Sequence, residues 1–213
     1  MSYVTSLTFN AFQENTYIIY DQSSAIVVDP GCHSFEEEQA LSDKIAALGV
    51  HVEACINTHC HLDHIFGNKF VVESYGVELY IHEGELTLLR QGPVIAEMYG
   101  MSLEPSPEPS RFLNHGDTLR FSNIVFEVFL TPGHSPASIS FYNKDEGYII
   151  AGDVLFQNSI GRTDLPGGNH TLLLKSIRDY YLSLPDDVIV YPGHGPATTI
   201  GTERASNPFL QGL

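Results

Sequence analysis

The sequence predicts an α+β fold: an αββα sandwich in which two mixed β-sheets pack face to face and helices cover the outer faces. Three observations lead there. Short segments rich in β-branched and aromatic residues outnumber the helical ones. The order strands, helix, strand, helix runs through the first half and returns in much the same form in the second. The helices are few enough to cover only outer faces, so the sheets must bury their remaining faces against each other. The chain has 213 residues, which suits one domain, and residues 1–213 are expected to form it. Apolar residues make up 43% and charged residues 17%, enough apolar material for a sizeable core.

Strands are expected at Val4 to Phe9, Asn15 to Tyr20 and Ala25 to Asp29, each closed by polar, Gly or Pro punctuation. Ser34 and Glu37 then form a capping-box pair. Leu41, Ile45 and Leu48 follow at helical spacing, and Gly49 stands where a helix stop belongs. Val52 to Asn57 reads as a strand, Phe66 to Ser74 as a helix and Glu78 to His82 as a strand. Gly84 to Tyr99 reads as one helix or two, split at Gly92-Pro93. Pro105, Pro107 and Pro109 space a surface connection over residues 103–110, with a lid as the lesser alternative. Strands resume at Thr118 to Phe121, Ile124 to Leu130, Ser138 to Tyr142 and Tyr148 to Ala151. Asn169 can cap a helix with inner face Leu173, Ile177, Tyr180 and Leu184, stopped by Pro185. Val188 to Tyr191 is the last strong strand.

Composition narrows the partners. The formal charge is −16, from 26 acidic and 10 basic residues, so the long-range field repels phosphate backbones and nucleic acid is not expected as a partner. No segment approaches the roughly 18 uninterrupted apolar residues of a membrane span. The first ten residues lack a basic start followed by a long apolar run, and Cys32, Cys55 and Cys60 are an odd number at irregular spacing. Both features fit a cytoplasmic protein. A monomer or small homo-oligomer is expected.

The strongest signal is Thr58-His59-Cys60-His61-Leu62-Asp63-His64, directly after a strand. Three imidazoles and a carboxylate within six residues form a nitrogen and oxygen donor set suited to zinc, iron or manganese. Three more candidates follow strands in the same way: His134 after Thr131-Pro132-Gly133, Asp153 after Gly152, and His194 after Pro192-Gly193. A glycine beside each permits a sharp turn and leaves room for a metal. Any one of them alone would read as an ordinary polar residue; their recurrence behind strands favours ligation.

These residues carry a resemblance to the metallo-β-lactamase superfamily and, within it, to the type II glyoxalases (hydroxyacylglutathione hydrolases) and their short bacterial relatives. The resemblance includes Asn15-Thr16-Tyr17, Asp29-Pro30-Gly31, the run 58–64, Pro132-Gly133-His134-Ser135, Gly152-Asp153, Gly161-Arg162-Thr163-Asp164 and Tyr191-Pro192-Gly193-His194-Gly195. It implies that His59, His61 and His134 hold a first metal, that Asp63, His64 and His194 hold a second, and that Asp153 bridges them. Two divalent ions, zinc first and iron or manganese as options, would share a water and lower its pKa toward neutrality. The resulting hydroxide attacks an acyl carbon, and a thioester such as S-lactoylglutathione is the expected small-molecule substrate. Asp63 binds its metal and orients that nucleophile.

The same resemblance raises a rival. Persulfide dioxygenases share the fold and use one iron, which here would sit on His59, His134 and Asp153. Longer glutathione-specific relatives add a C-terminal helical region with basic residues that this sequence does not show before Leu213, so weak discrimination among thiol carriers is expected. Asp29 is the candidate to orient a ligating histidine. Cys60 is expected to point away from the metals. Tyr17 and Arg162 are candidate substrate-binding residues, with core packing and pairing to Asp164 as their respective alternatives. His33, His51, His82, His115 and His170 are expected to be structural.

Overall fold

Alternation of side chains along each strand decides the layering. In the computed structural model, which describes residues 1–212, the first sheet runs in sequence order. It comprises β1 (Tyr3–Phe9), β2 (Glu14–Tyr20), β3 (Ser24–Val28), β4 (His51–Ile56), β5 (Glu78–Ile81) and β6 (Arg111–Phe112). β1, β2 and β3 are antiparallel neighbours, whereas β3 to β6 pair in parallel. The second sheet contains β7 (Thr118–Phe121), β8 (Ile124–Leu130), β9 (Ile139–Asn143), β10 (Tyr148–Gly152), β13 (Ile189–Pro192) and β14 (Thr198–Thr199), in the order β14-β13-β10-β9-β8-β7. Its β10–β13 pair is parallel and the rest antiparallel, so both sheets are mixed, as expected. A short hairpin, β11 (Leu155–Phe156) and β12 (Ser159–Ile160), stands apart.

Neighbouring residues on one strand bury into different layers. Ile19, Ile26, Val28 and Ile56 meet Phe126, Val128, Phe141 and Ile150 between the sheets. Ile18, Val27 and Cys55 face outward onto Leu41 and Ile45 of α1 (Phe35–Leu48), Val71 of α3 (Asn68–Tyr75) and Leu89 of α4 (Leu86–Met98). On the opposite side Ile149 and Ala151 pack on Leu173 of α5 (His170–Ser176) and Ile200 of α6 (Ile200–Ser206). Both sheets are therefore buried on two faces, which makes the αββα sandwich. No helix among the described residues is long and apolar enough to cross a membrane.

Helix α1 forms as its caps dictate. Ser34 and Glu37 make both halves of the capping box, and Gly49 ends the helix at φ 68°. The expected helix from Phe66 is different. Residues Leu62–Ile65 form a short α2, and α3 starts only at Asn68. The break falls at Gly67, whose N–H donates to Pro30 O at 2.7 Å and where a Cβ would overlap the Cys32 sulfur. Close approach of the loop after β3 therefore separates the two helices. Residues 86–98 form one helix with Pro93 inside it, and Gly92 lets α4 seat closely against Ile65 and Leu103. The helix after Asn169 ends in a π-turn, Ile177–Tyr181. The extra residue per turn rotates Tyr181 into the core and leaves Tyr180 half-buried, so the expected inner face shifts by one residue at its end.

Candidate metal centre

The candidate ligands follow the C-terminal ends of four strands. The run 58–64 leaves β4, His134 follows β8, Asp153 follows β10 and His194 follows β13. The parallel pairs β3–β4 and β10–β13 bring these ends to one edge of the sandwich, where the sheets are tied by Ile139 N–H to Thr58 O at 2.8 Å. One ligand atom each from His59, His61 and His134 lies within 4.8 Å of the other two, and the same holds for Asp63, His64 and His194. Asp153 faces both groups. Its Oδ2 is 3.4 Å from His134 Nε2 and 3.5 Å from His194 Nε2, and its Oδ1 is 3.6 Å from His64 Nε2. Asp63 Oδ2 lies 3.0 Å from His194 Nε2. Gly193 makes this approach feasible, since a Cβ there would overlap the Asp153 carboxylate.

Hydrogen bonds aim the rings. His134 Nδ1 donates to Arg162 O at 2.8 Å, and His194 Nδ1 to Phe12 O at 3.1 Å, so each Nε2 turns inward. His64 Nδ1 meets Asp29 Oδ2 at 3.1 Å. That carboxylate also takes the Thr58 N–H at 2.7 Å and the Thr58 hydroxyl at 2.6 Å, and Thr58 Oγ1 in turn lies 3.0 Å from His59 Nδ1. Asp29, with His59 and His64, is itself a group close enough to hold a metal. Its three hydrogen bonds give it the orienting part instead, as the sequence suggested. Asp29 sits at φ 50°, a left-handed conformation that this network holds in place. Asn15 and Tyr17 of β2 clasp the loop before His194: Asn15 Nδ2 donates to Pro192 O and Gly195 O, and Tyr17 Oη donates to Pro192 O at 2.7 Å.

Residues 9–194 match the sequence profile of the metallo-beta-lactamase superfamily. The chain belongs to that superfamily. Two bacterial relatives share its length: the probable metallo-hydrolase YqgX of Bacillus subtilis is 38% identical, and the hydroxyacylglutathione hydrolase GloC of Haemophilus influenzae is 37% identical, each over 94% of both chains. Among solved structures, the B3 metallo-beta-lactamase BLEG-1 superposes with a TM-score of 0.91 at 38% identity, covering 99% of this chain and all of that one. TTHA1623 in a di-iron-bound form superposes with a TM-score of 0.86 at 34% identity, covering 97% of this chain and all of that one.

The donor set of this metallo-beta-lactamase superfamily chain fits a metal. His59 Nε2, His64 Nε2 and Asp153 Oδ1 are buried without a hydrogen-bond partner, and all three belong to the candidate groups. Unpartnered buried polar atoms are costly, and cations held by the two groups would satisfy all three. In the first group the titration behaviour agrees; in the second, the carboxylates that draw a proton to the rings would equally favour a cation in its place. Burial, reinforced by neighbouring histidines, holds His59 well below the usual imidazole range and pulls His61 down to about 4, so both are neutral and able to ligate. Burial disfavours charge on His64 too, but Asp63 and Asp153 outweigh it and push that ring up. Burial alone would raise the Asp153 carboxyl; His64 and His134 bring it below the usual range, as an anion. The fourth unpartnered atom, Glu14 Oε1, belongs to a carboxyl that burial pushes well up toward its neutral form.

A cavity of about 610 Å³ opens over these groups, with His61, Asp63, His134, Asp153 and His194 on its floor. Arg162 lines it, as the sequence suggested, but its guanidinium is held bidentately by Asp164 at 2.7 and 2.8 Å. Tyr17 does not line it. That expectation is corrected: the ring packs between the sheets at 4% exposure because its hydroxyl is needed at Pro192 O behind the site. The thiol of Cys60 is buried away from the ligands in the outer core of the first sheet. His33 stacks on Phe66 and bonds Ser102 O, a structural position. The proline-spaced loop lies over α3 and α4, where Glu104 pairs with Lys69 and Glu108 with Arg90, and none of its residues lines the cavity.

One positioning residue escaped the sequence. Glu85, fully buried, accepts from Cys60 N–H at 2.9 Å, Ser135 Oγ at 2.7 Å and Ala137 N–H at 2.7 Å. It thereby joins the loop carrying His59 and His61 to the loop carrying His134. Nothing in Glu83-Gly84-Glu85 marks a buried side chain, and only tertiary structure reveals the burial.

Proposed function

We propose that the protein is a dinuclear metal-dependent hydrolase of acyl thioesters. The observation that carries this reading is the position of Asp153, whose carboxylate lies between the two donor groups, Oδ2 near His134 of one and His194 of the other and Oδ1 near His64. Zinc is the proposed metal, and iron or manganese suit the same nitrogen and oxygen donors. Divalent ions held there supply an acidified water and an electrophile for the acyl carbonyl. His59, His61 and His134 would hold one ion, Asp63, His64 and His194 the other, with Asp153 fixing their separation.

The remaining chemistry belongs to the chain. The Asp63 carboxylate borders the cavity and can accept a proton of the attacking water in a hydrogen bond, turning its lone pair toward the acyl carbon. Burial would raise its carboxyl, but His64 and His194 hold it below the usual range as the required anion. The largely apolar walls lower the local polarity around the reacting carbon. The acyl carbon–sulfur bond breaks, the water oxygen bonds to the acyl carbon, one water proton ends on the thiol and the other on the acid product. No electron donor or oxygen is consumed. The name of the Haemophilus relative supports a thioester, and its carrier is a glutathione. The persulfide dioxygenase reading would leave Asp63, His64 and His194 without a task.

The test is elemental analysis of freshly purified protein beside turnover of S-lactoylglutathione, a β-lactam and a persulfide. We expect close to two transition-metal ions per chain and release of thiol. His194→Ala should lose one ion and at least ~100-fold in kcat, the scale of a single electrostatic contribution to catalysis. One tightly held iron with oxygen uptake on the persulfide would overturn the hydrolase reading. Turnover of the lactam alone would overturn the thioester.

A further inference from the structure

We infer that the preferred substrates are thioesters with an apolar acyl group, a medium-length alkyl chain or an aryl ring, on a neutral carrier. The inference rests on the thioester-hydrolase reading and narrows it. It comes from what the cavity presents above its metal-binding floor. One wall is α4, which contributes Leu88, Ile95 and Met98, continued by Tyr99 at its C-terminal cap; the lining also includes Phe156 and Leu165. The Phe12 ring closes the rim edge-on to Tyr99, with centroids 5.9 Å apart, and Phe156 stands edge-on to His194 at 6.4 Å.

Two of these side chains are far more exposed than residues of their size should be. Met98 is 81% exposed and Tyr99 58%, and both border the cavity. Apolar surface gathered around a concave site beside a few convergent polar groups is the usual signature of a wall that an apolar ligand covers.

Charge gives the second, independent argument. Among the described residues Arg162 is the one lysine or arginine lining the cavity, and both oxygens of Asp164 already occupy its guanidinium. The cations on the flanking helices are taken as well, Lys69 by Glu104 and Arg90 by Glu108. A carrier with two carboxylates, such as glutathione, would meet no unpaired lysine or arginine on these walls and would approach a chain of formal charge −16. A neutral carrier meets neither obstacle.

The experiment compares kcat/KM for acetyl and hexanoyl thioesters on two carriers, neutral N-acetylcysteamine and glutathione, using the metal-loaded protein. Each methylene fully buried on the wall is worth roughly 4-fold, so with the wall partly open to solvent hexanoyl should exceed acetyl by at least ~10-fold. The neutral carrier should equal or exceed glutathione for the same acyl group. The double variant Met98→Ser/Tyr99→Ser alters only exposed positions and should cut the hexanoyl-to-acetyl ratio by at least ~5-fold. Asp164→Asn, which frees Arg162, should move the carrier preference toward glutathione. Turnover with no dependence on acyl length, or a clear preference of the unaltered protein for glutathione, would overturn the inference and leave the hydrolase standing. Absence of turnover with every thioester would overturn the hydrolase reading itself.

Discussion

Asp29 Oδ2 lies 3.1 Å from His64 Nδ1, at the end of a chain of contacts that runs through Thr58 to His59. One carboxylate thus orients a ring from each of the two donor groups. Asp29→Ala should lower metal affinity by roughly 10- to 100-fold, the range typical of lost partners behind a ligand. Competition of a chromophoric chelator against the variant measures it. Because both groups depend on Asp29, both ions should weaken; loss of one ion with the other unchanged would show that the Thr58 link to His59 carries no weight.

Glu85 acts on the other side of the site. Glu85→Ala would leave the Cys60 and Ala137 N–H groups buried without an acceptor and would leave the Ser135 hydroxyl only its bond to the Ser138 hydroxyl. That should cost about 3 kcal/mol or more of stability, by the penalty for unsatisfied buried donors. Urea unfolding checks the stability. Metal occupancy should fall first in the group of His59, His61 and His134, and Glu85→Gln, which keeps one acceptor oxygen, should recover part of both losses. A Gln variant no better than Ala would contradict a hydrogen-bonding role.

The contrast between these two residues shows what the sequence makes visible. Asp29 is visible because it stands in Asp29-Pro30-Gly31 at a strand end, and the metal-ligand candidates are visible because imidazoles and carboxylates rarely recur behind strands by chance. The sandwich itself is visible in the order of strands and the small number of helices, and the structure then buries the adjacent Ile18 and Ile19 in opposite layers. Glu85 is invisible because its partners come from residues 60 and 135–137. The Gly67 break is hidden for the same reason, since Pro30 and Cys32 impose it from another segment. Tyr17 misleads because an aromatic next to Asn15-Thr16 suits a pocket wall and a clasp behind the site equally well. Strands of two residues, such as β6 and β14, carry too short a pattern to be read.

Acid stability offers a test away from the metals. Asp21 accepts from Ser23 N–H and Ser24 N–H at 2.9 Å each, and from the Asn123 N–H and side-chain amide, tying the β2–β3 turn to the β7–β8 turn. The bond from Ser23, seconded by those from Ser24 and Asn123, holds its carboxyl well below the usual range despite burial. A depressed folded-state pKa stabilises the fold above the unfolded value of about 3.9 and loses that contribution as pH falls toward the folded one. Asp21→Asn should therefore cost about 1–2 kcal/mol at pH 7, and the gap to the unaltered protein should shrink below about pH 4. Urea midpoints across pH 3–7 measure it. A gap that stays constant with pH would contradict the ionic origin.

The most direct test of the central claim is anaerobic thiol release from a thioester while divalent metal is added stepwise to metal-free protein. Hydrolysis by this centre needs both donor groups around Asp153 filled, so turnover should climb steeply with the second equivalent and level off at two per chain without oxygen. Full turnover at one equivalent, or turnover that appears only when oxygen is admitted, would contradict it.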